Sequence, residues 1–374
     1  MTSDRELLCA MALARVLPYN ARLQRLLLSH MGSASAVYDA RADIQAVMPG
    51  CTVRMAQALL RMDAEMERCR QELTFCRDHG IQVLTVTDTE SYPSRLTVAD
   101  DAPAVLYYKG TTPLDAARVV SVVGTRRCTE HGRRWCERLC ADLRQMVPGV
   151  LVVSGLAYGI DIAAHRGALA AGLPTVGVLA HGLDHIYPSL HRPTAVEMCA
   201  HGGLLTEFMS RTRIDRVNFL QRNRIVAALA DAVVVVESAE RGGALSTARL
   251  AGDYGREVMA VPGRPADMAS AGCNALIRSL RAVLVTSAAD VVQTMGWQGA
   301  EAAPAQAAQL TLFPELTQEE QAFTAVLRQN DGKASLDMLM AATELPAHRL
   351  MATSVGLEMK GVVATLAGGM FMLR

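Results

Sequence analysis

Lysine is almost missing from this chain. Only Lys109, Lys333 and Lys360 occur among the 37 basic residues, so the other 34 (37 − 3) are arginine. Arginine's planar fork suits bidentate contacts with phosphate, which lysine meets only as a point charge. Genomic base composition produces the same bias, so it bears on function only where the arginines cluster. Net charge is missing too: 37 acidic residues balance the 37 basic ones. That argues against a protein that coats nucleic acid by bulk electrostatics and leaves room for a local basic site. The nine cysteines contain no Cys-x-x-Cys pair. Cys136 and Cys140 lie one helical turn apart with no second pair at zinc-finger spacing, so the expectation is buried thiols in a reducing cytosol. No apolar run approaches the ~18 residues that span a bilayer. Asp4, Arg5 and Glu6 precede Leu7–Leu17, unlike the basic start of a signal peptide. These absences predict a cytoplasmic protein without membrane contact. Missing also are a G-x-x-x-x-G-K-[ST] loop and a G-x-G-x-x-G turn after the first strand, so neither nucleotide hydrolysis nor a dinucleotide cofactor is indicated. No cofactor and no metal are expected.

What is present falls into successive stretches, and the length suggests two or three domains. Residues 1–80 show helical spacing in Leu7–Leu17, Leu23–Met31 and Val53–Cys76, punctuated by Pro18 and Pro49–Gly50. Over 81–296 short β-branched runs alternate with helical stretches. The runs are Ile81–Val86, Val119–Val123, Val150–Val153, Thr175–Leu179, Leu204–Thr206, Ala232–Val236, Val258–Val261 and Ala282–Val285. Strands apolar on both faces and separated by helices, such as His131–Met146, Ile160–Ala171 and Arg222–Ala230, predict a parallel sheet covered on each side. The Ala-, Gln- and Pro-rich stretch Gly299–Gln309 places a linker over 297–313. Residues 314–374 offer helices at Gln318–Arg328, Leu336–Ala342 and Ala347–Lys360, then two strands within Val362–Leu373 around Gly368–Gly369. That is a winged-helix layout. The expected fold class is α/β: a doubly wound sheet with an N-terminal helical domain and a C-terminal winged-helix domain.

In an open parallel sheet, ligands bind at the carboxyl ends of the strands. Three strand ends lead into glycine-bearing turns: Gly124-Thr125-Arg126-Arg127, Ser154-Gly155-Leu156-Ala157-Tyr158-Gly159-Ile160-Asp161, and Glu237 onward through Arg241-Gly242-Gly243-Ala244 to Thr247. Each turn is expected to open a helix, where unpaired N–H groups and the helix dipole favour an anion and glycine permits close approach. One such turn is often a matter of geometry. Three on one sheet edge point to phosphate.

The arginines do cluster. Arg211, Arg213, Arg216, Arg222 and Arg224 fall within fourteen residues, interrupted by the single acid Asp215. The tract Asn218-Phe219-Leu220-Gln221-Arg222-Asn223-Arg224-Ile225 is expected to start a helix, which would put Arg222 and Arg224 near its amino terminus. Phe219 would offer a face for a base, although packing explains a lone phenylalanine as well. Asp161 with His165, four residues apart, and Glu207 at a strand end compose an acid–base alternative; dipole complementation and local pairing account for the first two more simply. His181, His185 and His191 with Asp184 match no compact metal site.

These segments resemble one known family, DNA-processing protein A (DprA, also called Smf). The resemblance rests on Val123-Gly124-Thr125-Arg126, on Ser154 through Asp161 with Ala164-His165, on Gly182-Leu183-Asp184 with Tyr187-Pro188, and on Arg222-Asn223-Arg224-Ile225. Gly242-Gly243-Ala244 through Ala248, Val261-Pro262-Gly263 and Gly272-Cys273-Asn274-Ala275-Leu276-Ile277 extend it over about residues 80–295. It implies an extended Rossmann-like core, flanked in some members by a SAM-like helical domain and a winged helix. It also implies single-stranded DNA binding, homodimerisation, and loading of the RecA recombinase onto strands taken up in natural transformation, without catalysis. Carried over by motif, Arg126, Gly155, Phe219, Arg222 and Arg224 would line the DNA pocket. With the glycine turns, the expected site comprises Gly124, Thr125, Arg126, Ser154, Gly155, Tyr158, Gly159, Phe219, Arg222, Asn223, Arg224, Gly242 and Gly243. Three departures stand out: His181 where a small residue is common, Leu220 where proline is common, and Tyr158 where lysine is frequent.

Two other functions compete. A nucleotide-processing, phosphoribohydrolase-like enzyme would use Glu207 or Asp161, but Gly242-Gly243 leads to Ala244-Leu245 with no glutamate following in the helix. A duplex-DNA regulator would read the groove with Ala347–Lys360, whose His348, Arg349 and Lys360 against Glu358 make a sparse basic face.

Overall fold

Helices α1 (Asp4–Val16), α2 (Ala21–Met31), α3 (Ala34–Asp39), α4 (Ile44–Val47), α5 (Val53–Leu60) and α6 (Met62–Asp78) come first along the chain. Their ends follow local chemistry. The Ser3 hydroxyl accepts from Glu6 N to start α1, the Asn20 side chain accepts from Leu23 N to start α2, and Gly32, at φ 82°, ends α2 in the left-handed conformation. The stretch expected as one helix from Val53 breaks at Arg61, whose N–H closes onto the Ala58 carbonyl. The computed structural model describes residues 2–48, 50–297, 316–330, 332–343, 345–360, 362–366 and 369–373. Two compact units divide the chain, 1–300 and 301–374.

In the first unit the helices are followed by β1 (Gln82–Thr85), α7 (Ser94–Thr97), β2 (Val105–Gly110) and β3 (Val119–Val123). Then come α8 (Glu130–Met146), β4 (Leu151–Ser154), α9 (Ile160–Ala170), β5 (Thr175–Val178), α10 (Arg192–His201) and β6 (Gly202–Thr206). The unit ends with α11 (Arg216–Ala228), β7 (Ala232–Val235), α12 (Gly243–Asp253), β8 (Glu257–Ala260), α13 (Ala271–Arg278), β9 (Val283–Leu284) and α14 (Ala288–Thr294). The nine strands form one sheet in the order β1-β2-β6-β5-β4-β3-β7-β8-β9. From β6 to β9 the pairing is parallel, as the two-faced apolar runs predict. The β1 edge departs from that expectation: β1 with β2, and β2 with β6, are antiparallel.

Two apolar layers sandwich the sheet. Val123, Val153, Val178 and Val235 face α11 and α12 through Ile225, Ala244, Ala248 and Ala251. Val120, Val122, Val152 and Val234 face α8 and α9 through Cys136, Leu139, Cys140, Ala164 and Ala168. The cysteines of α8 are thus core thiols, and none of the nine cysteines is disulfide-bonded. A third layer buries Met11, Leu13, Leu27, Leu59 and Met62 of the opening helices with Val105 and Tyr107 of β2. The extra strand gives these helices a sheet edge to pack on. The result is a doubly wound α/β fold with an antiparallel extension.

The second unit contains α15 (Gln318–Gln329), β10 (Lys333–Ser335), α16 (Leu336–Thr343), α17 (Ala347–Met359), β11 (Val363–Leu366) and β12 (Met370–Leu373). The three expected helices form. The terminal hairpin gains a third strand, in the order β10-β12-β11, over a core that includes Phe323, Leu327, Leu350 and Phe371. The expected linker, 297–313, lies outside the described residues apart from Trp297.

Candidate functional site

From β3 the chain winds outward through β4, β5 and β6, then returns under α11 to β7 on the opposite side of β3. The switch point therefore lies between β3 and β7, where Val123 pairs with Val235. At such a point the loops diverge and leave a crevice. Here the crevice is an open cavity of about 650 Å³, bounded by Gly124–Arg126, by Asp161, by one side of α11 and by the start of α12.

The glycines bring these loops together. A Cβ on Gly159, at φ 78°, would stand 2.1 Å from the Thr125 carbonyl oxygen, so only glycine lets the β4–α9 turn close against the β3–α8 loop. Gly124 is crowded in the same way by Ile160 and the Glu237 backbone. These residues make room for other loops, not for a ligand. Gly243 differs: a Cβ there meets nothing within 4 Å. It begins α12, no side chain caps that helix, and its first residues, Gly243 and Ala244, line the cavity at the positive end of the helix dipole. Contrary to the expectation from its glycine, the first loop does not open a helix directly. Helix α8 begins only at Glu130, capped by the Thr129 hydroxyl, which accepts from Gly132 N at 3.1 Å and donates to the buried Glu237 carboxylate.

Helix α11 starts six residues before Arg222, with Asp215 as its cap accepting from Val217 N at 2.8 Å. Arg222 and Arg224 are therefore mid-helix, correcting the expected amino-terminal placement. Two residues on an α-helix are about 200° apart, so the pair diverges. Arg222, only 4% exposed, lies on Gly155, donates from Nη2 to the Gly155 carbonyl at 3.1 Å and lines the cavity. Its Nε has no partner, which leaves the guanidinium under-bonded beside the cavity. Arg224 turns the other way. It forms an ion pair with Glu207 and donates to the Asp101 carbonyl, and the cavity does not include it.

Eight expected residues line the cavity: Gly124, Thr125, Arg126, Phe219, Arg222, Asn223, Gly242 and Gly243. Ser154 does not; its buried hydroxyl donates to the Val122 carbonyl at 2.6 Å. Gly155 and Gly159 support the loops from behind, and Tyr158 sits beyond the rim, edge-on to His191 at 5.0 Å. Sequence reasoning did not place Arg216, Asp215 and Thr247 in the site, although all three line it. A helix beginning at Arg216 would have signalled the first two. Also missed was the anchor of the arginine-rich loop: buried Glu72 of α6 accepts from Ser210 N at 2.7 Å and Ser210 Oγ at 2.5 Å, while Arg68 donates to the Ser210 carbonyl at 2.6 Å.

Arg126, Arg216 and Arg222 face two acids, Asp161 and Asp215. Burial raises the Asp161 pKa above the ordinary carboxylate value, and neighbouring Arg222 partly offsets that. Burial also lowers the Arg222 pKa. The acid–base alternative loses its geometry. Burial pushes His165 down to about 3, with Nδ1 2.7 Å from Thr175 Oγ1. Glu207 is engaged by Arg224 and lies outside the cavity. His181 is held by its neighbours' backbone, Nδ1 against the Gly182 carbonyl and Nε2 accepting from Tyr187 N. Among the described residues no cluster of three or more His, Cys, Asp or Glu is placed to hold a metal, and no helix is long and apolar enough to cross a membrane.

Fold and cavity together define an open Rossmann-like protein with an arginine-lined crevice at its topological switch point. The chain belongs to the DNA recombination-mediator protein A family, whose profile matches residues 82–296. It is 32% identical over 338 residues to protein Smf of Escherichia coli, covering 87% of this chain and 86% of Smf. The X-ray structure of DNA processing protein A from Streptococcus pneumoniae aligns with a TM-score of 0.64 at 30% identity, over 75% of this chain and 95% of that one. DNA processing protein A from Helicobacter pylori, whose structure concerns its single-stranded DNA binding mode, aligns with a TM-score of 0.52 at 30% identity, over 58% and 96%.

Proposed function

We propose that this protein binds single-stranded DNA in the cavity between β3 and β7, with phosphates held by Arg126, Arg216, Arg222 and the amides at the start of α12. The observation that carries the reading is the convergence of three arginines on an uncapped helix terminus in an open crevice. The relative from Helicobacter pylori, with its single-stranded DNA binding mode, supports the choice of ligand. We read the cavity as a binding site without chemistry of its own, since Glu207 and His165 are turned elsewhere. On the family resemblance, the protein protects incoming strands and loads RecA during natural transformation, in the cytoplasm and as a homodimer. The β9 edge supports a second copy as partner: Val283 and Leu284 are exposed there, and Leu280 before them is 93% exposed, an apolar sheet edge that pairing would cover. We assign the helical domain to 1–80, the Rossmann-like domain to 81–296 and a winged helix to 314–374.

A titration comparing a single strand with duplex of the same sequence tests the reading. Tighter binding of the single strand, weakened by Arg222→Ala, is expected. Equal affinity for duplex, or indifference to that substitution, overturns it.

A further inference from the structure

Phe219 was expected to offer its ring to a base, but the Arg126 guanidinium already lies over that ring, 5.1 Å from its centroid. Stacking surface is available one step further out. Among the described residues the exposed Phe, Trp or Tyr side chains are Tyr19, Tyr158 and Tyr187, and all three attach to the surroundings of the cavity. Tyr19 donates from its hydroxyl to Asn218, beside Phe219. Tyr187, 42% exposed, meets Phe219 edge-on at 6.0 Å. Tyr158, 45% exposed, meets His191 edge-on at 5.0 Å, and His191 is bonded at 2.8 Å to the Leu156 carbonyl beside Gly155. Tyr158 and Tyr187 sit on the loops that follow β4 and β5, successive strands on one side of β3.

We propose that Tyr187 and Tyr158 form a base-stacking platform beside the arginine cavity, so that a bound strand leaves the phosphate site toward the β5 side with its bases on these rings. The proposal rests on the single-strand reading above and adds a direction and a second kind of contact. Stacking is sequence-tolerant because every base has a π-face, and it is unavailable to paired, stacked duplex.

The test measures affinity of the full chain for oligothymidylate and for an abasic strand of equal length. Tyr187→Ala and Tyr158→Ala should each weaken oligothymidylate binding by on the order of tenfold. The salt dependence should stay unchanged, and Tyr187→Phe, which keeps the ring, should restore most of the affinity. On the abasic strand the alanine substitutions should change nothing. Equal losses on both strands mean a merely structural role and overturn the proposal, as does undiminished binding of oligothymidylate. Failure of the wild type to bind either strand overturns the underlying reading as well. Should an alanine variant not fold, photocrosslinking of a 5-iodouracil strand to the wild type decides: adducts at Tyr187 or Tyr158 uphold the platform, and adducts only elsewhere refute it.

Discussion

Arg222 occupies the space that a side chain on Gly155 would need: a Cβ there would stand 1.8 Å from Nη1. The glycine is a seat for the arginine, and its carbonyl accepts the arginine's hydrogen bond. Gly155→Ala should therefore displace Arg222, the flexible partner, and leave the backbone intact. The expected result is a near-wild-type melting temperature with single-strand affinity reduced roughly tenfold or more, the scale of one charge-assisted hydrogen bond. Combining it with Arg222→Ala should add little further loss, which a double-mutant cycle measures.

The two arginines of the Arg-Asn-Arg motif should separate experimentally. Arg222→Ala removes a cavity donor and should lower affinity without unfolding. Arg224→Ala leaves the Glu207 carboxylate buried without its counter-charge, and breaking such a pair costs about 3–5 kcal/mol. Thermal denaturation should show a fall on the order of 10 °C for Arg224→Ala and far less for Arg222→Ala.

Much of this was legible beforehand, and the failures have identifiable causes. Two-faced valine runs such as Val119–Val123 can be satisfied only by a sheet covered on both sides, so the parallel strands and their loop ends were readable. Strand β2 was equally visible as Val105-Leu106-Tyr107-Tyr108 between Pro103 and Gly110, but the helix before it, α7, is only four residues long and shows no helical periodicity in the sequence. The start of α11 was misplaced because Asp215 was counted as an interruption among arginines when it is the helix cap. That one error put Arg222 and Arg224 near the helix's amino terminus and left Arg216 out. The role of Glu72 was beyond reach, since nothing local links α6 to a serine 138 residues away.

Affinity should depend on pH through Asp161. Phosphate beside this buried carboxyl favours its protonated form, so binding takes up a proton and strengthens as pH falls. Burial lowers the pKa of the nearby His191, and that of His165 to about 3. Asp161→Asn should bind more tightly at neutral pH and flatten the profile on the alkaline side of the ordinary carboxylate range. It should also stabilise the protein at neutral pH, because a carboxyl with a raised folded-state pKa loses stability as pH rises through that value. Strand titrations of both proteins across that range check the sign; a rising affinity with pH refutes it.

A chain ended after residue 300 should retain single-strand binding, since every cavity residue lies in the first compact unit. In the second, Arg349 and Lys360 are already paired with Glu319 and Glu320. Loss of binding in a folded truncation would move the function to residues 301–374.

A polymer ligand and a mononucleotide ligand leave different signatures in salt and length. Each phosphate neutralised on a single strand releases counterions and contributes about −0.7 to the slope of log affinity against log salt. Arg126, Arg216 and Arg222 together imply a slope of roughly −2. Arg216→Ala, which touches no buried partner, should make it shallower by roughly 0.7 without affecting the fold. Affinity should also rise with strand length until the strand spans cavity and rim, on the order of 4–16 nucleotides for grooves of this kind. A nucleotide-processing enzyme would bind one nucleotide well and gain nothing from added length. Measuring a mononucleotide, a short oligomer and a longer oligomer at two salt concentrations separates the two. A flat length series with tight mononucleotide binding, or release of free base on incubation, would reject the polymer site and return Asp161 to consideration as a catalytic acid.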